Sequence, residues 1–531
     1  MAQTLHSILR TKGNTFFSII FLLFASWGNA QVFTDSNLPI VIINTDINPA
    51  TGQPSTIPDD PRVYGTMKII KRPDGTRNFL TDVNTPDYLN YDGRINIERR
   101  GSTSQNPPKK GYGLTTLESD DVTNNNVSLL GMPSENDWIL NGLAFDPSLI
   151  RDYLSYNLSA AIGNYSPRTA YCEVQINGEY KGLYLLQEKI KADSDRVNIL
   201  KITPDDNSGS ALTGGYITKA DKLTGDDPVA WTMFSYNGIT EYIHDWPTPE
   251  TVTSEQDDYI HSRFTSLALT SAFNISSLTN GYPSVIDVPT FIDFMLINEL
   301  AANVDAYELS TFFHQDRSGK LRAGPIWDHN LTYGNDLFEY GLDRSHFDVW
   351  QFDNDDNTGS RFWKDLFDND LFKCLLSKRW NALTGPDQPL KHNNIVTLID
   401  ETVNLISEAV AREDEKWNTI PNHALEIENL KTFVFMRINW MTSNIGSFSA
   451  CSDLEMPPLV ISKINYNPGT DATFTESNDQ EFIEITNAGT DTIDLTGVYF
   501  RELGMTYQFP SGSSIDAGQK IYLASNPDVF Q

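Results

Sequence analysis

Two aspartates, Asp305 and Asp328, are the residues whose type and spacing most clearly point to chemistry in this sequence. The segment from Ser310 to His314 is typical of a strand, residues 316–319 are typical of a turn, and the partner strand is expected from Leu321 onward. Because a hairpin brings its two ends together, we expect the two carboxyl groups to lie close in space although they are far apart along the chain.

Two neighbouring carboxylates can serve a limited set of purposes. They repel each other and shift each other's pKa unless a proton or a cation lies between them. Mg²⁺ is usually held by one or two carboxylates together with substrate phosphates. In phosphoryl transfer, one Asp can accept the proton of the attacking hydroxyl while another holds the metal. Asp at the end of a strand is also a common cap or turn residue, so the pair alone leaves both interpretations open.

Hydrophobic periodicity predicts the elements that would position this pair. Pro289 opens a helix that is apolar on most sides and is therefore expected to be buried. A second helix is expected around residues 148–162, where apolar residues recur on one face. Residues 172–186 predict a β-hairpin, because alternating strands flank Asn177-Gly178, a type I′ turn pair.

The type of predicted secondary structure changes along the chain. Short strand-like runs fill residues 31–116, and residues 289–444 are mostly helical with one strand-rich insert. Residues 451–458 are typical of a linker. Strand-like runs then recur at residues 459–464, 482–486, 493–500, 506–509 and 520–524, which indicates an all-β sandwich. We predict an α+β core over residues 31–450 and an immunoglobulin-like sandwich over residues 459–531, which we expect to be incomplete.

The charge balance limits the partners. The 531 residues carry a formal net charge of −31, which repels phosphate backbones and anionic membranes. We therefore expect no nucleic-acid partner. A solvated acidic surface is the simplest interpretation, and it also suits an exported protein that binds divalent cations.

The first 30 residues predict export. Arg10 and Lys12 form a basic n-region, residues 16–27 form an apolar stretch, and Gly28-Asn29-Ala30 supplies small residues for cleavage. We expect cleavage after Ala30, no later transmembrane segment, and a secreted, periplasmic or cell-surface location. An uncleaved anchor is the alternative.

The cysteines are too few for a disulfide scaffold. Cys172, Cys374 and Cys451 allow one bridge, and the sequence leaves its partners open.

A series of short blocks in one order is the most specific feature between residues 36 and 446. The blocks are Arg100-Gly101-Ser102-Thr103-Ser104 with Pro108-Lys109-Lys110-Gly111-Tyr112, Asp137-Trp138-Ile139-Leu140-Asn141 with Leu149-Ile150-Arg151-Asp152, residues 178–188, Gly214-Gly215-Tyr216-Ile217, and residues 298–305 with Gly324-Pro325-Ile326-Trp327-Asp328. Together they resemble the CotH family, the spore-coat-type atypical protein kinases of bacteria.

This resemblance implies a diverged, two-lobed protein-kinase-like core in an exported bacterial protein. Its implied activity is transfer of the γ-phosphoryl group of ATP to Ser or Thr of a protein substrate, with Mg²⁺ or Mn²⁺. Asp305 matches the family's catalytic-loop Asp, and Asp328 matches its metal-binding Asp.

The resemblance also suggests residues that would bind the nucleotide. Lys109 or Lys110 would contact the phosphates, from an expected strand that follows the polar loop at residues 99–104. Glu188 would face the nucleotide from the end of the hairpin, unless it is an ordinary strand-end carboxylate. Arg151 would contact phosphate or pair with Asp152.

Two positions depart from the family pattern. Asn330 stands where a second Asp often follows the metal-binding Asp, and Ser310 lies where an Asn ligand is expected. Both residues remain candidate metal ligands, but the uncharged Asn330 should lower metal affinity. A non-catalytic structural or binding protein with a kinase-like core is therefore the alternative function.

A second acidic segment suggests a weaker metal site. Asp353, Asp355 and Asn357 have the alternate spacing of a Ca²⁺ loop, but the glycine falls one residue late and the final Glu is missing. A solvated loop is the simpler interpretation.

The C-terminal segment resembles the lamin-tail domain, an immunoglobulin-like fold. The likeness lies in residues 481–487, in Asp494-Leu495-Thr496-Gly497, and in Phe509-Pro510 with Gly518. Such a module implies contact with a cell surface or an extracellular matrix.

Overall fold

A computed structural model describes residues 33–222, 228–337, 344–452, 457–500 and 507–530. The predicted signal peptide lies outside these residues. The body discussed below begins at Asp35. Among the described residues, no helix has both the length and the apolar character that are needed to cross a membrane.

The first part of the chain is mainly β-structure. Its strands are β1 Asp35–Ser36, β2 Ile40–Thr45, β3 Ile47–Asn48, β4 Gln53–Pro54, β5 Val63–Ile70, β6 Asn78–Phe79, β7 Leu89–Arg100, β8 Gly111–Leu117, β9 Asp137–Asn141, β10 Thr169–Ile176, β11 Glu179–Glu188, β12 Tyr216–Ala220, β13 Trp231–Phe234 and β14 Ile239–Trp246. Helix α1, Arg151–Ala161, lies between β9 and β10.

The second part is mainly helical and ends in a small β-region. Its elements are α2 Ser254–Ala272, α3 Tyr282–Val285, α4 Val288–Ala301, β15 Thr311–Gln315, β16 Arg322–Ala323, α5 Phe362–Asp368, α6 Asp370–Leu383, α7 His392–Trp417, α8 His423–Asn444, β17 Leu459–Asn465, β18 Phe482–Asn487, β19 Ile493–Asp494, β20 Ser514–Ile515 and β21 Lys520–Ala524.

Seven strands close into a barrel in the order β10-β11-β9-β8-β7-β5-β2. Neighbouring strands are antiparallel except for β2 and β10, which pair in parallel and close the barrel. Strand β7 shows the alternation that favours a strand: Ile95 and Ile97 are fully buried, while Asn96 between them is only partly buried. The predicted hairpin at Asn177-Gly178 is confirmed, and both turn residues have the positive φ that a type I′ turn requires.

A second sheet, in the order β13-β14-β12-β15-β16, packs with the helices around the largest core. Its central helix α4 begins with Asp287, whose side chain accepts the backbone N–H of Thr290, and has Pro289 in its first turn. It ends at Ala302, which takes the left-handed conformation. From residue 290 to residue 301 every side chain is buried, so the prediction of a buried helix is confirmed.

The C-terminal region is a small β-sandwich. Strands β17, β18 and β21 form one sheet, β19 pairs with β20, and Ile485, Leu495, Phe509 and Ile515 are buried between the two layers. The expected strand over residues 506–509 falls partly outside the described residues, and Gln508 forms only an isolated bridge with Tyr499. The protein is thus a mixed α+β structure with a C-terminal β-sandwich region.

One disulfide joins Cys374 of α6 to Cys451, which ends a 3₁₀ turn and is the first residue of the predicted linker. Cys172 is reduced and lies buried in β10. The structure therefore identifies the partners that the sequence left open.

Candidate functional site

A cleft of about 810 Å³ lies between the barrel and the second sheet. From the barrel it is lined by the end of β7, the loop at residues 101–104, Asn141 and Gln187. From the other side it is lined by Asp305 and by Lys219, Asp221, Lys222, Trp327, Asp328, Asn330 and Leu331. A volume of this size is in the range of small-molecule and cofactor sites.

Asp305 and Asp328 both line this cleft. The hairpin β15–β16 joins the two segments, as the sequence predicted. Backbone hydrogen bonds also hold them side by side: the Val304 N–H donates to the Leu331 carbonyl oxygen at 3.3 Å, and the Tyr333 N–H donates to that of Ala301 at 2.6 Å. The structure therefore brings together the two residues that sequence reasoning placed at the centre of the chemistry.

The environment of Asp328 makes its charged form less favourable than that of a carboxyl group in water. Burial and, to a smaller extent, the charge of Asp305 raise the pKa of its carboxyl to about 6, and the Arg100 guanidinium opposes this shift. Burial also raises the pKa of Asp305, against the attraction of Arg344 and Lys222. A cation beside the two carboxylates would stabilise their charged forms.

Two cationic side chains that sequence reasoning did not select approach the aspartates. The guanidinium of Arg100 lies 5.6 Å from the centre of the Trp327 ring and is attracted to Asp328. Within the part of the chain that the structure describes, this guanidinium donates no hydrogen bond. Arg100 belongs to one of the sequence blocks that carry the family resemblance, but the sequence analysis assigns it no role.

Lys222 approaches from the second sheet, just after β12. Its ammonium group lies 3.5 Å from the hydroxyl of Thr103, on the loop across the cleft, and attracts both aspartates. Lys219 also lines the cleft and pairs with Asp221 at 3.2 Å. Only the antiparallel pairing of β12 with β15 places these lysines here, so no local sequence signal identifies them.

The two lysines selected from the sequence are placed differently from expectation. They precede strand β8 rather than lying on it, because Pro107 and Pro108 have no backbone N–H and the ladder begins only at Gly111. The Lys109 ammonium is buried and bonds to Glu413 and to the Leu183 carbonyl oxygen. The Lys110 ammonium donates to two carbonyl oxygens of its own loop. Both ammonium groups are thus already bound to protein oxygens.

Arg151 and Glu188 also form hydrogen bonds with other residues of the protein and do not line the cleft. Arg151 is buried and donates to Asp146, to Glu426 and, at 2.8 Å, to the Thr332 carbonyl oxygen, but not to Asp152. Glu188 is fully buried and accepts hydrogen bonds from the Arg168 guanidinium, the Arg168 N–H and the Tyr165 hydroxyl. These interactions connect parts of the folded chain to one another.

The two departures from the family pattern lie at the site itself. Asn330 and Ser310 line the cleft, and the Asn330 side-chain amide donates to Asp328 Oδ1 at 2.9 Å. Both Ser310 and Asp328 have left-handed backbone conformations, with φ of 49° and 56°. Such strained residues persist only where the surrounding structure holds them in place.

These donors fit a hard cation that keeps other ligands. Among the described residues, no group of three or more His, Cys, Asp or Glu is gathered in a way that could hold a metal ion. Asp328, Asp305 and the neutral oxygens of Ser310 and Asn330 would therefore have to share a cation with water or phosphate oxygens. Mg²⁺ is commonly bound in this way.

The predicted Ca²⁺ loop receives no support from its contacts. Asp353 lies 3.4 Å from the Lys364 ammonium, and Asp355 is exposed. The Asn357 side chain donates to the Ala306 carbonyl oxygen and accepts the Gly359 N–H. Asn357 therefore closes a turn instead of presenting a ligand.

A cleft with an acidic pair in a mixed α+β structure has the donors to hold a metal ion or a phosphate ligand, and comparison with known families adds an independent finding. A family model described as CotH kinase protein matches residues 97–441, more than half of the chain. The chain therefore belongs to this family. A second model, the Lamin Tail Domain, matches residues 455–529. Both resemblances inferred from the sequence are confirmed, and no curated protein matches the chain.

Proposed function

We propose that the protein is an exported atypical kinase that transfers the γ-phosphoryl group of ATP to Ser or Thr of a protein substrate. The observation that carries this proposal is the coupled pair Asp305 and Asp328 in one cleft, faced by Arg100 and Lys222. Family membership supports it, because the family model describes kinase proteins.

We interpret the barrel and the helical body as the two lobes of a kinase-like core. The cleft is lined by residues from both, with Arg100 on the barrel side and Asp305 and Asp328 on the other. Apolar residues at its barrel end, including Ile139, Leu140 and Ile190, would accommodate the base of the nucleotide.

Each polar residue then has a distinct role. Asp305, with its raised pKa, accepts the proton of the acceptor hydroxyl. Asp328, helped by Ser310 and Asn330, holds the cation. Mg²⁺ or Mn²⁺ bound with ATP would neutralise part of the negative charge on the phosphate oxygens. Arg100 and Lys222 donate to the phosphates, the role that the sequence assigned to Lys109 or Lys110.

Export and surface contact are part of the same proposal. The N-terminal sequence and the Cys374–Cys451 disulfide both suit an oxidising compartment. The C-terminal sandwich would tether the kinase core to a cell surface or matrix.

One observation favours a second candidate, a non-catalytic binding protein. The side-chain amide of Asn330 donates to Asp328 Oδ1, so this oxygen already has a protein partner. In this alternative the core is a scaffold and does not bind Mg-ATP.

Incubation of the purified protein with labelled ATP, Mg²⁺ or Mn²⁺ and a mixture of candidate acceptor proteins tests the proposal. We expect phosphate incorporation by the wild type and a loss of about 100-fold or more in Asp328→Ala. Asp355→Ala, the same change at an exposed aspartate outside the cleft, should leave incorporation unchanged.

Two outcomes would contradict the kinase assignment. One is incorporation that is equal in the wild type and in Asp328→Ala. The other is the absence of both incorporation and a thermal shift with Mg-ATP, which would instead support the binding protein.

A further inference from the structure

Helix α1 contacts the segment that carries Asp328 through one of its faces. Four side chains on this face reach residues 328–333, and their positions along the helix, i, i+1, i+4 and i+5, place them on one side. The four side chains belong to Arg151, Asp152, Ser155 and Tyr156.

Two of these contacts bind consecutive backbone amides. The Asp328 N–H donates to the Tyr156 hydroxyl at 3.2 Å, and the His329 N–H donates to Asp152 Oδ1 at 2.7 Å. The other carboxylate oxygen of Asp152 accepts from the Asn141 side-chain amide at 3.0 Å, which fixes the orientation of the carboxylate. Asp152 and Tyr156 are both almost completely buried, so these bonds are shielded from water.

The other two contacts hold the far end of the same segment. Arg151 donates to the Thr332 carbonyl oxygen at 2.8 Å, and the hydroxyls of Ser155 and Tyr333 lie 3.1 Å apart. Tyr333, like Asp328, has a positive φ. The segment between the two strained residues is therefore fastened at both ends to one rigid helix.

The left-handed backbone at Asp328 requires such support. A non-glycine residue at φ of 56° is strained and persists only when its neighbours hold it. Two directed bonds to consecutive N–H groups restrict the backbone on both sides of the Asp328 α-carbon.

We propose that Tyr156 and Asp152 are positioning residues that hold the Asp328 backbone in its left-handed conformation and so aim its carboxylate at the cation of the cleft. The inference rests on the proposed function, because it concerns the residue that would hold the metal. Both side chains act through the backbone N–H groups of residues 328 and 329, and Tyr156 also lines the cleft. Partners that orient a metal ligand commonly affect metal affinity by about 10–100-fold.

Conservative variants separate this role from general packing. Tyr156→Phe removes only the hydroxyl that accepts the Asp328 N–H. Tyr153→Phe is the matched control: it is the same change on the same helix, but Tyr153 packs on Tyr171, away from the segment. Asp152→Ala removes the acceptor of the His329 N–H, whereas Asp152→Asn retains an oxygen that can accept it.

The first measurement is hydrogen exchange of the amides of residues 328 and 329 in the full-length protein without metal. We expect exchange about fivefold faster or more in Tyr156→Phe and Asp152→Ala. Tyr153→Phe should match the wild type, and Asp152→Asn should restore most of the protection. Unchanged exchange in Tyr156→Phe would overturn the inference and leave the proposed function intact.

The second measurement is binding of Mn²⁺ in the presence of a non-hydrolysable ATP analogue, followed by electron paramagnetic resonance. We expect affinity to fall about 10-fold in Tyr156→Phe and to remain unchanged in Tyr153→Phe. Faster exchange combined with unchanged Mn²⁺ affinity would show that the contacts only stabilise the loop, and would also overturn the inference. If the wild type binds no Mn²⁺, the proposed function fails first, and the positioning role fails with it.

Discussion

The charged residues buried beside the cleft and those inside it differ in how fully they are paired. Lys109 with Glu413, Arg151 with Asp146, and Glu188 with Arg168 are matched by opposite charges and further hydrogen bonds. Arg100 and the two aspartates form no such ion pair among the described residues, and burial shifts their pKa values toward the neutral forms. Paired charges hold the fold together, whereas incompletely paired charges around a cavity are available to a ligand.

Lys109→Met should have the largest effect on stability if this distinction is correct. The change leaves the Glu413 carboxylate buried without its cation, so we expect a loss of about 3–5 kcal/mol in the free energy of unfolding. Urea unfolding measures it. Lys110→Met is the control, because its ammonium binds only loop carbonyls, and it should cost less than about 1 kcal/mol. Equal losses in both variants would contradict the distinction between paired and incompletely paired charges.

Arg100→Met should show the opposite behaviour. It removes donors that have no acceptor among the described residues, so stability should change by less than about 1 kcal/mol, while affinity for Mg-ATP falls about 10–100-fold. Calorimetric titration measures the affinity. Arg62→Met is the matched control, because Arg62 is paired with Glu98 next to the cleft and should affect stability rather than nucleotide binding. Unchanged affinity in Arg100→Met would contradict the role of Arg100.

The smallest effect concerns the pH dependence of stability. The pKa of Asp328 is raised to about 6 in the folded protein, so between about pH 4 and pH 6 the folded state binds more protons than the unfolded state. Stability should therefore fall as pH rises through this window, by about 1–2 kcal/mol for a partly exposed group. Urea unfolding of the metal-free protein at pH 4–7 measures this slope, and Asp328→Asn should reduce it. An identical slope in the two proteins would show that ionisation of Asp328 does not destabilise the folded state.

Local patterns were sufficient for several elements of the fold. Helix α4 was predicted because apolar residues surround it, and the β10–β11 hairpin because Asn177-Gly178 accepts the positive φ of its turn. The approach of Asp305 to Asp328 followed from the hairpin between them. Each of these inferences depends on contacts that are short along the chain.

The residues that contact the aspartates from elsewhere could not be inferred in the same way. Lys222 reaches the cleft because β12 pairs with β15, and Glu413 reaches Lys109 from α7, about 300 positions later in the sequence. The local sequence around a lysine does not show whether its ammonium group will contact a carboxylate or line a cavity in the folded protein. The family resemblance pointed to Lys109 or Lys110, and nothing in the local sequence pointed to Arg100 or Lys222.

The sequence by itself determined the family, the α+β class with its C-terminal sandwich, and the pair Asp305 and Asp328, because motif order, periodicity and turn chemistry are local properties. Only the tertiary structure decided which cations face that pair and which helix holds the strained backbone of Asp328. The physical reason is that ion pairing and backbone strain depend on distances between elements that the chain brings together only when it folds.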